Sequence, residues 1–166
     1  MATITLGGND IQTLGSLPKV GSQAPNFSLI KSDLSKASLK DFAGTRVILN
    51  IFPSIDTDVC ATSVRNFNKR AKELDNTQVL CISRDTPFAM KRFSDNEETK
   101  DVTNLSDIKD GSFGEAYGLT IIDGPFEGFH SRAVVVLDEK GKVIYNQQVP
   151  EIGKEPDYQA ALKILL

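Results

Sequence analysis

A chain of 166 residues suits one domain with one core, which at this size buries about two-thirds of the surface its unfolded form exposes. Hydrophobic residues at 40% and charged residues at 25% exclude a disordered or fibrous chain, and a formal charge of −3, with lysines spread among acids, leaves no basic stripe for nucleic acid. Two cysteines and one histidine are too few for a disulfide framework or a zinc cluster, so neither metal nor cofactor is expected.

Met1 to Gln12 has neither the basic nor the apolar segment of a secretory signal, which makes the cytoplasm the expected address. The longest apolar runs fall far short of the ~20 residues that span a bilayer, so no membrane association is expected. Thr3 to Leu6 and Ile11 to Leu14 flank Gly7-Gly8-Asn9-Asp10, predicting an opening β-hairpin within an extension over residues 1–17. Pro18 to Pro25 reads as a linker, Asn26 to Ile30 as a short strand, and Ser38 to Phe42 as a turn of helix.

Arg46 to Phe52 is a nearly continuous apolar run, the pattern of a strand covered on both faces, and Pro53 ends it. From Asp58 to Leu74, residues Cys60, Val64, Phe67, Ala71 and Leu74 recur at helical spacing, which puts Cys60 in a first turn on the buried stripe. Gln78 to Ser83 is the next buried strand, joined to the first as a right-handed parallel βαβ unit. Thr86 and Pro87 supply an N-cap and an N1 proline for a helix over Phe88 to about Phe93, and Asp95 to Asp101 reads as a polar break. A short helix is expected over Asp110 to Tyr117, ending at Gly118. Arg132 to Leu137 and Val143 to Val149 are strands of an antiparallel hairpin, and Pro156 at N1 begins a last helix with Tyr158, Ala161, Leu162 and Leu165 on its apolar face. The expected fold class is α/β: the order βαβ, helix, ββα resembles a thioredoxin-like fold, a central mixed β-sheet flanked by helices, with an added N-terminal β-hairpin.

Ligands gather at the carboxyl ends of the strands in open α/β sheets, and Pro53 to Cys60 occupies that place. A cysteine in the first turn of a helix feels the positive end of the helix dipole, which favours thiolate over thiol and supplies a nucleophile. Alone, such a cysteine reads as a small buried apolar residue. Its neighbours change that reading, because Pro53-Ser54-Ile55-Asp56-Thr57-Asp58-Val59-Cys60 fits P-x-x-x-T-x-x-C, the active-site signature of the peroxiredoxins. The wider string Asn50 to Arg65 resembles the bacterial thiol peroxidase subgroup. So do Leu80-Cys81-Ile82-Ser83, Pro87-Phe88-Ala89, Ala116-Tyr117-Gly118, Asp123-Gly124-Pro125, Arg132 to Val136 and Glu155-Pro156-Asp157-Tyr158, which extends the similarity over nearly the whole chain.

The resemblance implies a thiol-dependent peroxidase acting on hydrogen peroxide and organic hydroperoxides. Cys60 is then the nucleophile that becomes a sulfenic acid. Thr57 has a hydroxyl that can accept from the peroxide and donate toward the sulfur, besides serving as an N-cap worth ~1 kcal/mol. Pro53, without an N–H, shields the thiolate; on its own it merely ends a strand. Arg132 offers a fixed fork of donors for the thiolate and for charge developing on the peroxide oxygens. The resemblance also implies a homodimer formed near the active-site helices.

One part of the pattern is missing. In the subgroup a resolving cysteine usually follows Arg-Phe in a Cys-Gly pair, whereas here Arg92-Phe93 is followed by Ser94-Asp95, and a serine cannot form a disulfide. Three routes back to the thiolate remain: an external thiol such as thioredoxin, which is the favoured one; Cys81, which sits mid-strand in an apolar run; or a cysteine of a partner subunit. A non-catalytic peroxide sensor using the same Cys60 site is the competing reading. Cys60-Ala61-Thr62-Ser63 lacks the second cysteine of a dithiol oxidoreductase, and Arg65 comes one position too early for the Cys-x5-Arg cradle of a phosphatase. His130 is expected to be solvated in its loop, and Lys69, Arg70 and Lys72 to form a solvated helix face.

Overall fold

The computed structural model describes all 166 residues. The opening hairpin pairs β1 (Thr3–Leu6) with β2 (Asn9–Gln12). Its turn is only Gly7-Gly8, both at positive φ (58° and 83°), so the second strand starts two residues earlier than expected and Asn9 and Asp10 belong to it. A two-residue turn of this kind matches the twist of the strands it joins and needs residues that tolerate positive φ.

The main sheet has seven strands: β3 (Ser28–Lys31), β4 (Lys36–Ser38), β5 (Arg46–Ile51), β6 (Thr77–Ser83), β7 (Thr103–Ser106), β8 (Ala133–Leu137) and β9 (Val143–Gln148), in the order β4-β3-β7-β6-β5-β8-β9. The β5–β6 and β6–β7 pairs are parallel and the others antiparallel, which makes the sheet mixed, as expected. Strands β4 and β7 have no counterpart in the reading of the sequence. The reason for β7 is that Asn104 and Ser106 are buried polar residues whose side chains donate to the carbonyls of Met90 and Asp85.

Strand β5 sits between β6 and β8 and shows why it reads as an apolar run. Val47, Leu49 and Ile51 face one core, with Phe113, Tyr117 and Val135. Ile48 and Phe52 face the other, with Val64, Phe67, Val134 and Leu162. Full burial of each such side chain contributes ~1.5–3 kcal/mol. The second core lies under α1 (Asp58–Ala71) and α4 (Tyr158–Lys163), and the first under α3 (Ser112–Ala116).

Helix α1 stops at Ala71, short of Leu74, and α3 spans Ser112–Ala116 within the expected Asp110 to Tyr117; two other helices differ in how they end or begin. The helix after β6, α2 (Pro87–Glu97), runs four residues beyond Phe93 into the expected polar break of Asp95 to Asp101. Thr86 caps it by accepting from the Ala89 N–H, Lys91 pairs with Asp95 one turn on at 2.7 Å, and Glu97 takes a two-pronged contact from Arg65 of α1. These exposed pairs are each worth ~0–1 kcal/mol, enough to keep a polar helix end wound, and the helix stops at Glu98 in the left-handed region. In α4, Asp157 is the N-cap, accepting from Ala160 N–H at 3.0 Å, so Pro156 precedes the cap instead of opening the helix.

Candidate active site

The carboxyl end of β5 leads into the loop Phe52 to Thr57, and a side chain from the end of β6 holds that loop. Asp85 accepts from Ser54 Oγ at 2.8 Å and from the Ile55 N–H at 2.7 Å, and also from Ser83 Oγ. Pro53 is buried at the strand end. Thr57 stands at the N-cap position of α1, but its hydroxyl does not cap: it donates to the Ser54 carbonyl at 3.0 Å. Its proton is thereby committed, and the oxygen's lone pairs are what it has left to offer.

Cys60 lies in the first turn of α1 and is fully covered, and the fork of Arg132, itself only 3% exposed, reaches its sulfur. Arg132 Nη2 is 3.3 Å from Cys60 Sγ, and Nε donates to the Ile152 carbonyl at 2.9 Å. The sheet register brings them together: Ile51 of β5 pairs with Ala133 of β8, which sets Arg132 beside the end of β5 where the cysteine loop begins. The remaining guanidinium nitrogen, Nη1, is buried without a partner. An orphaned buried donor costs ~1–3 kcal/mol, more for a charged group, and here it sits on the same fork that touches the sulfur. A sulfur nucleophile, a cation against it and a spare donor together can break an O–O bond: sulfur attacks one oxygen while the guanidinium steadies charge on the other.

A second set of residues supports the first turn of α1 from below and was not apparent in the sequence. Ser63 Oγ donates to the Cys60 carbonyl at 2.7 Å, and Asn50 Nδ2, from β5, donates to Ser63 Oγ at 3.2 Å. Asn50 interrupts an apolar run, and that interruption is the one signal that could have found it. Asp85 left no such signal, since an acid at a strand end is ordinary.

Cys81 sits on β6 opposite Asn50, whose Nδ2 is 3.7 Å from its sulfur. It is fully buried, and burial pushes its thiol up to about 12, so near neutral pH it carries almost no thiolate. That counts against Cys81 as the thiol that attacks an oxidised Cys60. One equivalent of hydrogen peroxide added to the native protein is expected to modify the Cys60 peptide alone. Peptide mass spectrometry checks this, and a Cys60–Cys81 disulfide in the digest would contradict it.

Ser94, half-buried on α2, is tied to the chain that follows the helix: its hydroxyl donates to the Thr99 carbonyl and accepts from Thr99 Oγ1, both at 3.2 Å. His130 is not solvated as expected but fully buried, with Nε2 2.8 Å from an Asp107 oxygen. Gly114 makes room for it, since a Cβ there would lie 2.9 Å from the imidazole Cδ2. Asp107 also accepts from the Phe113 and Gly114 N–H groups, so the pair ties the chain before Arg132 to the start of α3. Lys69, Arg70 and Lys72 are exposed, as expected. No three His, Cys, Asp or Glu side chains converge as a metal site would need, and no helix is long and apolar enough to cross a membrane.

Comparison with known proteins agrees with this geometry. Residues 19–162 match the Redoxin family. The thiol peroxidases of Mycobacterium bovis and Mycobacterium tuberculosis are each 54% identical to the chain over 165 residues, 99% of both partners in each comparison. Among solved structures, a peroxiredoxin-like protein from Aquifex aeolicus superposes with a TM-score of 0.94 at 33% identity, covering 99% of this chain and 96% of that one. A thiol peroxidase from Chromobacterium violaceum gives 0.92 at 22% identity with the same coverage, which speaks to the fold alone. The chain belongs to the Redoxin family, and within it to the thiol peroxidase branch of the peroxiredoxins.

Proposed function

We infer that the chain is a thiol-dependent peroxidase in which Cys60 attacks a hydroperoxide and an external thiol returns it to the starting state. The observation that carries the reading is the Arg132 fork, with Nη2 at the sulfur and Nη1 buried and free. The sulfur displaces on the nearer peroxide oxygen, the O–O bond breaks, and the leaving oxygen takes a proton to depart as water or an alcohol. Cys60 keeps the other oxygen as a sulfenic acid. Thr57 accepts from the peroxide proton, and Pro53 closes the site without offering a competing donor.

An incoming thiol then displaces water from the sulfenic acid to give a mixed disulfide, and a second thiol releases Cys60. With Ser94 at the usual resolving position and Cys81 held as a buried thiol, the reductant comes from outside the chain; a dithiol protein of thioredoxin type supplies both equivalents. The chain works in the cytoplasm as one domain and as a homodimer. Ile108 and Phe129, 39% and 40% exposed, support the last point, since they flank Arg84, which donates to the carbonyls of Ile108 and Gly128. Light scattering is expected to give twice the chain mass.

Peroxide consumption in the presence of thioredoxin, its reductase and NADPH tests the reading. Continuous turnover well beyond one peroxide per chain is expected. Consumption that stops at one equivalent per chain, with every thiol reductant tried, identifies a sensor and overturns the enzyme.

A further inference from the structure

The first strand of the N-terminal hairpin pairs with the segment that holds Arg132. Its strand β1 joins the segment after β9: Thr5 N–H donates to the Pro150 carbonyl at 2.7 Å, and Ile152 N–H donates to the Thr5 carbonyl at 2.9 Å. Between these two bonds lies Glu151, half-exposed, with one carboxylate oxygen held by the hairpin and the other by the chain that follows it. Oε1 accepts from the Gly8 N–H at 2.9 Å and from Thr5 Oγ1 at 3.0 Å, and Oε2 accepts from the Gly153 N–H at 2.9 Å. The backbone N–H groups of Gly153 and Gly8 hold this carboxyl down to about 2, so it is ionised throughout the neutral range. Ile152 itself is buried against Ile4, Ile11 and Ile121.

The outcome is a peptide unit fixed on every side. The Ile152 N–H is tied to Thr5, the next N–H is tied to Glu151, and the Ile152 side chain is packed against the hairpin. Its carbonyl has one use: it accepts from Arg132 Nε at 2.9 Å. That bond orients the planar fork, and with the Nε end pinned, Nη2 falls on the Cys60 sulfur and Nη1 is left free. The two glycines of the hairpin turn add to the fit, because positive φ at both lets the Gly8 N–H face the carboxylate.

We propose that Glu151, gripped by the N-terminal hairpin, is a positioning residue for the active site, acting through the Ile152 carbonyl to aim the Arg132 fork at the Cys60 sulfur and the bound peroxide. It touches neither substrate nor sulfur. The inference rests on the role given to Arg132 above, and the hairpin becomes part of the catalytic apparatus.

The test is a double-mutant cycle on the second-order rate of hydrogen peroxide with the reduced protein, counted per reactive thiol so that lost fold does not register as lost rate. Glu151→Gln puts an amide donor against N–H groups at one of its two oxygens, and should slow the reaction about tenfold, since small misplacements of a catalytic group cost up to ~100-fold. Thr5→Val removes only a hydroxyl, keeps the backbone pairing, and should slow it about twofold to threefold. In an Arg132→Met background neither change should slow the reaction further. Equal slowing by Glu151→Gln with and without Arg132 overturns the proposal, as does a Glu151→Gln rate equal to the parent's. If Glu151→Gln does not fold, Thr5→Val is judged by the same comparison. An Arg132→Met rate equal to the parent's removes the role of Arg132 itself and the proposal with it, a different failure from the other two.

Discussion

Cys60→Ser is expected to reduce the reaction with hydrogen peroxide to the uncatalysed background. A hydroxyl replaces a thiol of nearly the same shape, so the buried first turn of α1 keeps its packing, and Arg132 Nη2 still has an acceptor to meet. What is expected to disappear is the nucleophile, because an alcohol ionises far less readily than a thiol near neutral pH. Stopped-flow competition against a reporter peroxidase measures the rate, and intact-mass analysis of the parent should show one added oxygen after one equivalent. A serine variant that consumes peroxide as the parent does removes Cys60 from the mechanism.

Arg132→Met should slow the same step by about 10²–10³-fold, the effect of deleting one preorganised donor facing developing charge. Methionine fills similar space but leaves the sulfur without its cation and the Ile152 carbonyl without its donor. The second loss is a cost in stability of ~1–3 kcal/mol, read as a lower unfolding midpoint in urea. Arg132→Lys should recover little of the rate. A single ammonium cannot reach both Ile152 and the sulfur while offering a third donor. The two readouts separate: a variant that loses stability and keeps its rate shows that the fork serves the fold alone.

The strands that read well in the sequence are those whose two faces are both covered. Arg46 to Phe52 is apolar almost throughout because α1 and α4 cover one face of the sheet and α3 the other, and the same holds for β6 and β8. Strand β7 was hidden for the opposite reason. Thr103-Asn104-Leu105-Ser106 looks like a loop, yet two of its polar side chains are buried and donate to carbonyls distant in sequence. The end of α2 was hidden because Asp95 and Glu97 are held by partners, one of them on another helix. At the site, Pro53, Thr57 and Cys60 were legible as a local pattern, and Arg132 through the family resemblance. Asp85, Ile152 and Glu151 were not, since each acts by a contact with a segment 30 or more residues away or through a backbone atom that carries no residue identity. His130 went astray in the same way: its partner Asp107 lies 23 residues earlier.

Cys60 and Arg132 are 72 residues apart, and the carbonyl that orients the arginine lies 20 residues further on. During synthesis, therefore, α1 and its cysteine leave the ribosome long before β8 exists, and a chain grows at roughly 5–20 residues per second. For several seconds the nascent thiol has neither Arg132 nor the cover of β8. The contact between Arg132 and the sulfur waits until β8 has inserted beside β5 and the Pro150 to Ile152 segment has met the first hairpin, a pairing that joins the two ends of the chain. With the role inferred for Arg132, reactivity toward peroxide is expected to report completed folding, and a chain truncated before β8 is expected to react slowly.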